Sequence, residues 1–153
     1  DDLLRMAKEN DASIVVQTNS QHDAIAKFIN YYLRQLEASD KSLAEKQFSY
    51  GLYLFIDKLV DKLRHLAEKF DVYPLTEKVK RYLEAVFDMT KEQFVSLHKG
   101  GYARELVKHR YVLMKDLSEE DFSKDELKVV MEISLFLDTI TYFAETILVK
   151  RLG

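Results

Sequence analysis

The chain has 153 residues, 47% of them apolar and 32% charged, which is the balance of a globular protein and the length of one domain with a sizeable core. Its formal charge of −3 gives no global attraction to nucleic acid, so any binding of a polyanion has to come from a local patch. The absence of cysteine excludes disulfides, thiol nucleophiles and cysteine-held zinc or iron–sulfur centres, and fits a reducing, cytoplasmic setting.

The chain opens on Asp1 rather than methionine, as a trimmed protein or a piece of a longer one would, and no apolar run marks a signal peptide. Residues 1–19 are expected as an N-terminal arm or linker with partial disorder. Within it "LLRMA" can make a helical turn, and Ser13–Val16 a short strand or extended arm. Residues 20–153 are expected as one helical-bundle domain.

From Ser20 the apolar period is helical: Ile25, Phe28, Ile29, Tyr32, Leu33 and Leu36 form one stripe, with Ser20 and Asp23 spaced as a capping box. A second, long helix opens at Ser42, with Glu45 three residues on, and buries Leu52, Phe55, Ile56, Leu59, Leu63, Leu66 and Phe70. Gly51 inside it costs roughly 1 kcal/mol against alanine and points to a close helix contact or a bend. The segment "DVYP" ends that helix, because the residue before a proline is pushed out of the α region.

Thr76 can cap a third helix carrying Val79, Tyr82, Leu83 and Val86, and Thr90 with Gln93 signals a short helix through His98. Gly100 and Gly101 break the chain before a fourth main helix near Tyr102. Ser123 with Glu126 then opens the last helix, the most apolar. Its segment from Ile133 to Val149 carries Asp138 and Glu145 and is too short and too charged to span a bilayer, so it reads as a buried central helix. One proline and four glycines leave few turns. The fold class that follows is all-α: a four- to five-helix bundle, mostly up-down, with short loops.

Most familiar chemistries cannot be written on this chain. Glycines only at 51, 100, 101 and 153 exclude a Walker loop or a dinucleotide fingerprint, and no histidine has a glutamate three residues before it, as a di-iron bundle requires. Glu105 and His109 are spaced i, i+4, but a surface ion pair explains them better than a metal, and no cofactor is expected.

What remains is the stretch "GGYARELVKHRYV", from Gly100 to Val112. Arg104 and His109 stand out there, with Lys99, Lys108, Arg110, Tyr111 and Lys115 as the surrounding candidates for nucleic-acid contact. An arginine in a first helical turn, where backbone N–H groups already favour an anion, supplies a fork for phosphate oxygens. A histidine exchanges a proton near neutral pH. Together they suit metal-independent cleavage of RNA by its own 2′-hydroxyl. Residues five apart lie about 140° apart around an α-helix, so one copy makes a poor site, and two copies across a symmetry axis can pool their pairs.

This stretch resembles the signature of the HEPN family (higher eukaryotes and prokaryotes nucleotide-binding domain): an arginine, four to six residues, then a histidine. "LAEKFDVYP" is similar to the end of that family's early core helix, "ARELVKHRY" to its signature helix, and "LSEEDFSKDE" before an apolar helix to how many members close. Many members carry asparagine or another polar residue directly after the arginine; this chain has Glu105, whose charge opposes an anion.

The resemblance implies an endoribonuclease working as a homodimer or with a protein partner, with His109 moving the proton and Arg104 stabilising phosphoryl charge. The alternative is a non-catalytic helical accessory subunit that binds nucleic acid or a protein partner in a larger complex. Exposed tyrosines such as Tyr31, Tyr50 and Tyr53 could then stack on bases or fill a partner's pocket.

Overall fold

The structure, a computed structural model, describes residues 2–73, 75–98 and 104–152; the side chains at 93, 94, 96–98, 104–107 and 143–152 lie outside that description. Among the described residues six helices follow one another: α1 (Asp2–Glu9), α2 (Ile14–Glu37), α3 (Leu43–Val72), α4 (Glu77–His98), α5 (Arg104–Glu119) and α6 (Lys124–Leu152). Among the described residues there is no strand, and the all-α expectation holds.

The first nineteen residues differ from the expected arm. They hold all of α1 and the start of α2, and the boundary placed at residue 20 falls inside a helix. Asn10 takes a left-handed conformation, φ 51°, and closes α1 with two backbone bonds: Asn10 N–H to the Ala7 carbonyl at 3.4 Å and Asp11 N–H to the Met6 carbonyl at 2.9 Å. Asparagine tolerates that conformation better than most side chains. The Asp11 carboxylate accepts from the Ser13 N–H and hydroxyl at 2.8 and 2.7 Å, so α2 starts at Ile14. Ser13–Val16 is therefore helical entry, not strand: burial of Ile14 under α1 outweighs the β preference of its branched side chains.

The core is a layer in which the C-terminal half of α3 meets α4 and α6, with α1 closing one side. In α4 the buried positions Val79, Tyr82, Leu83, Val86 and Phe87 recur at helical spacing, and in α6 Val129, Val130, Ile133, Phe136, Leu137 and Ile140 answer them. Phe87 and Phe136 stack with ring centroids 5.6 Å apart. Each of these fully buried aliphatic side chains contributes about 1.5–3 kcal/mol of transfer free energy, so stability is concentrated here.

α2 and the first half of α3 form a hairpin that shares little of this core. Of the stripe expected in α2 only Ile29 and Leu36 are buried, while Phe28 and Tyr32 are exposed. In α3 only Leu66 and Ala67 are fully buried; Leu52, Phe55, Ile56, Leu59, Leu63 and Phe70 are half-buried. The hairpin is held by contacts such as the Tyr32–Tyr53 stack, centroids 5.7 Å apart, and by Lys46, whose ammonium donates to the Glu37 carbonyl at 3.0 Å. The segment expected as a buried central helix is less enclosed in its described part, 133–142, since Leu135 and Tyr142 face solvent. No described helix is long and apolar enough to cross a membrane.

Candidate nucleic-acid interface on α5

Register along α5 sorts the candidate residues. Leu113 and Leu117 pack against the core, and Arg110 shares their side of the helix. The Arg110 guanidinium donates to the carboxylate of Asp138 on α6, tying the two helices together. Its Nε is buried and has no hydrogen-bond partner, the one such side-chain atom among the described residues. Arg110 therefore points away from the surface on which nucleic acid would lie.

Lys108, Tyr111, Val112 and Lys115 point the other way. Steps of about 100° per residue place them on one outward stripe. Tyr111 is 72% exposed, with Lys108 three residues before it and Lys115 four after it. The Lys115 ammonium also sits 3.7 Å from the Glu119 carboxylate, an exposed pair of little energetic weight. His109 is exposed on the flank of this stripe, and no hydrogen bond or ion pair among the described residues orients it. Arg104 is the first residue of α5, and its side chain, like that of Glu105, lies outside the described residues; Lys99 lies outside them altogether.

The structure thus brings Lys108, Tyr111 and Lys115 onto one face, sets His109 beside it and removes Arg110 from it. His109 does not line the groove between α4 and α5. The concavity alongside α5 is a shallow groove against α4, walled by Tyr82, Leu113, Leu117 and Phe122 with Arg81 and Glu120 at its rim.

Two polar clusters escaped the sequence reading. In the first, the Tyr82 hydroxyl lies 3.2 Å from the Ser134 hydroxyl, close to the Arg110–Asp138 pair, and joins α4 to α6. Burial pushes the Tyr82 phenol above its usual value, against the opposing effect of the Ser134 hydrogen bond. In the second, on the α2–α3 hairpin, Arg64 donates to Asp61 at 2.7 and 3.1 Å and to Glu68 at 3.1 Å.

His65 faces Asp61 at 3.4 Å and Glu68 at 3.1 Å, and His22 reaches across from α2 to within 4.0 Å of Asp61. The Arg64 hydrogen bonds hold the Asp61 carboxyl below its ordinary range, with the two histidines adding to the effect and burial opposing it. The i, i+3 and i, i+4 spacings of "DKLRHLAE" signal the part on α3, whereas the reach of His22 depends on how the hairpin closes. No group of three His, Cys, Asp or Glu side chains among the described residues is placed to hold a metal ion.

Comparison with protein families, with curated proteins and with solved structures gives no match.

Proposed function

We propose that this chain is a non-catalytic helical binding module that takes single-stranded nucleic acid along the outer face of α5. One observation carries the reading: a strongly exposed tyrosine, Tyr111, is flanked on its own stripe by two lysines. An aromatic ring offers every base a stacking surface, and cations on either side track the backbone phosphates without reading sequence. The inward turn of Arg110 leaves that stripe with Lys108 and Lys115 as its cations.

A second reading, the HEPN-like ribonuclease, draws on the exposure of His109 beside the same stripe, where the histidine of a second copy could join it. Binding is placed first because Tyr111 and its two lysines lie among the described side chains, whereas Arg104, the other half of the ribonuclease pair, does not.

One experiment separates the two. Fluorescence anisotropy with a labelled single-stranded RNA at low salt, in EDTA, is expected to show binding that weakens as salt rises. Tyr111→Ala is expected to lose about 1–3 kcal/mol, the worth of one stacked base. Lys108→Ala is expected to reduce the slope against log salt by about 0.7. The RNA should stay intact on a gel. Cleavage by the wild type that His109→Ala abolishes would replace this reading with the ribonuclease, and no binding at low salt would leave α5 without a nucleic-acid role.

A further inference from the structure

The outer face of α3 between residues 43 and 54 breaks the pattern of the rest of the surface. Leu43 is 73% exposed, Tyr50 51% and Leu54 40%, and Ala44, Gln47 and Gly51 lie exposed among them. This face is about 18 Å long and carries no charge, in a chain of which 32% is charged. The exposed charge of this segment, Glu45, is turned aside into the capping box at Ser42, where its carboxylate accepts from the Ser42 N–H at 2.9 Å and hydroxyl at 2.7 Å. Lys46, half-buried, points at the end of α2.

Leu43, Gln47, Tyr50 and Leu54 follow one another at steps of four, three and four, the spacing of a helix–helix seam. Gly51 borders that seam. A Cβ built on Gly51 meets nothing within 4 Å, so neither close packing nor a special backbone angle explains a glycine that weakens the helix. Of the two expectations at Gly51, a close helix contact or a bend, the close contact is not met inside the chain, and the space it leaves opens outward.

We infer that this face of α3 is the contact between two copies of the chain, packed antiparallel about a twofold axis, with Gly51 letting the two helices approach closely. The seam is its own complement under that symmetry. Leu43 of one copy meets Leu54 of the other, and Gln47 meets Tyr50, whose hydroxyl the glutamine amide can bond. Because the seam residues are uncharged, the seam itself brings no like charges together, which is the condition a self-contact must meet. The seam itself offers a polyanion no cation; Arg34 and Lys46 lie beside it, in a groove they share with Glu37.

The groove of about 460 Å³ beside the seam is lined by Leu33 and Leu36 together with Arg34, Glu37 and Lys46, and its leucines add apolar surface for the opposing Leu43. A face this narrow falls short of the about 800 Å² per partner of a standard interface, so the dimer is weak and concentration-dependent. The inference is independent of the α5 reading.

Sedimentation velocity over a concentration series tests it. The wild type is expected to shift from monomer to dimer as concentration rises. Gly51→Lys places a charged side chain in open space in the monomer and replaces the poorest non-proline helix former, so the fold and its melting temperature should be kept or improved. The same change buries an unpaired charge at the seam and should weaken association about tenfold or more. Leu54→Lys should do the same from the other end.

Because the chain has no native cysteine, oxidising a mixture of differently tagged Leu43→Cys and Leu54→Cys variants reports orientation directly. An antiparallel seam gives mainly the mixed disulfide. A wild type that stays monomeric at every concentration overturns the inference. So does a dimer that tolerates Gly51→Lys and Leu54→Lys, or one that cross-links Leu43→Cys mainly to itself. A dimer formed through α5 instead would be untouched by Gly51→Lys and altered by changes at His109.

Discussion

Tyr82 shows how one side chain couples burial to pH. It is almost wholly buried in α4, and its hydroxyl reaches Ser134 on α6. Desolvation raises its folded-state pKa above that of the unfolded chain. A group raised in this way contributes stability that is complete below the unfolded value and is lost as pH climbs toward and through the folded one. Denaturant unfolding is therefore expected to lose stability above about pH 10, and Tyr82→Phe is expected to lose less of it. Equal pH dependence in the two proteins would mean that the phenol is not shielded from solvent.

Neighbouring residues in α5 make a related point about what a sequence discloses. Arg110 and Tyr111 are adjacent in the chain and both suit contact with nucleic acid, yet one is turned toward α6 and the other out. Composition reveals a basic cluster, but which members share a surface depends on the side of the helix that the core covers.

At the scale of the helix, end signals were legible where the chain has already left the helical conformation. Ser42 accepts from the Glu45 N–H at 3.3 Å while the Glu45 carboxylate answers the Ser42 N–H, and Ser123 with Glu126 repeats the arrangement. Thr76 caps α4 through the Val79 N–H at 3.4 Å, and α3 stops at Val72 with Tyr73 extended, as the residue before a proline is expected to be.

The same spacing failed at Ser20 and Thr90, because both lie within helices whose preceding turn is held by buried residues, Ile14 and Thr18 in one case and Val86 and Phe87 in the other. Thr90 bonds back to the Val86 carbonyl at 2.7 Å instead of capping anything. Ser42→Ala is expected to cost about 1 kcal/mol in denaturant unfolding. Ser20→Ala, an exposed mid-helix change, should leave stability unchanged or slightly raised. Equal losses at the two sites would contradict the assignment of α2 as one continuous helix.

Across the whole molecule, the burial is uneven. Among the described residues the layer of α3, α4 and α6 holds nearly all the fully buried aliphatics, the α2–α3 hairpin extends past it with exposed aromatics, and α1 is a short helix whose weight comes entirely from where it docks. Helical period revealed the first part of α4, whose buried positions recur without interruption, and the Ser123–Glu126 cap with the apolar run after it revealed α6. Period could not reveal α1, since eight residues are too few to establish one and too few to be stable alone.

Packing against α3 and α4 supplies the difference. Met6 is 2% exposed and Ala7 1%, and Lys8 pairs with Glu84 on α4 at the rim. Removing the Met6 side chain leaves a cavity in the layer that carries the fold, so Met6→Ala is expected to cost about 2–5 kcal/mol, measured as a lower denaturant midpoint with an unchanged slope. Val16→Ala, a similar truncation at an exposed position ten residues later, should change the midpoint little. If Met6→Ala were as mild as Val16→Ala, α1 would be an appendage rather than a wall of the core.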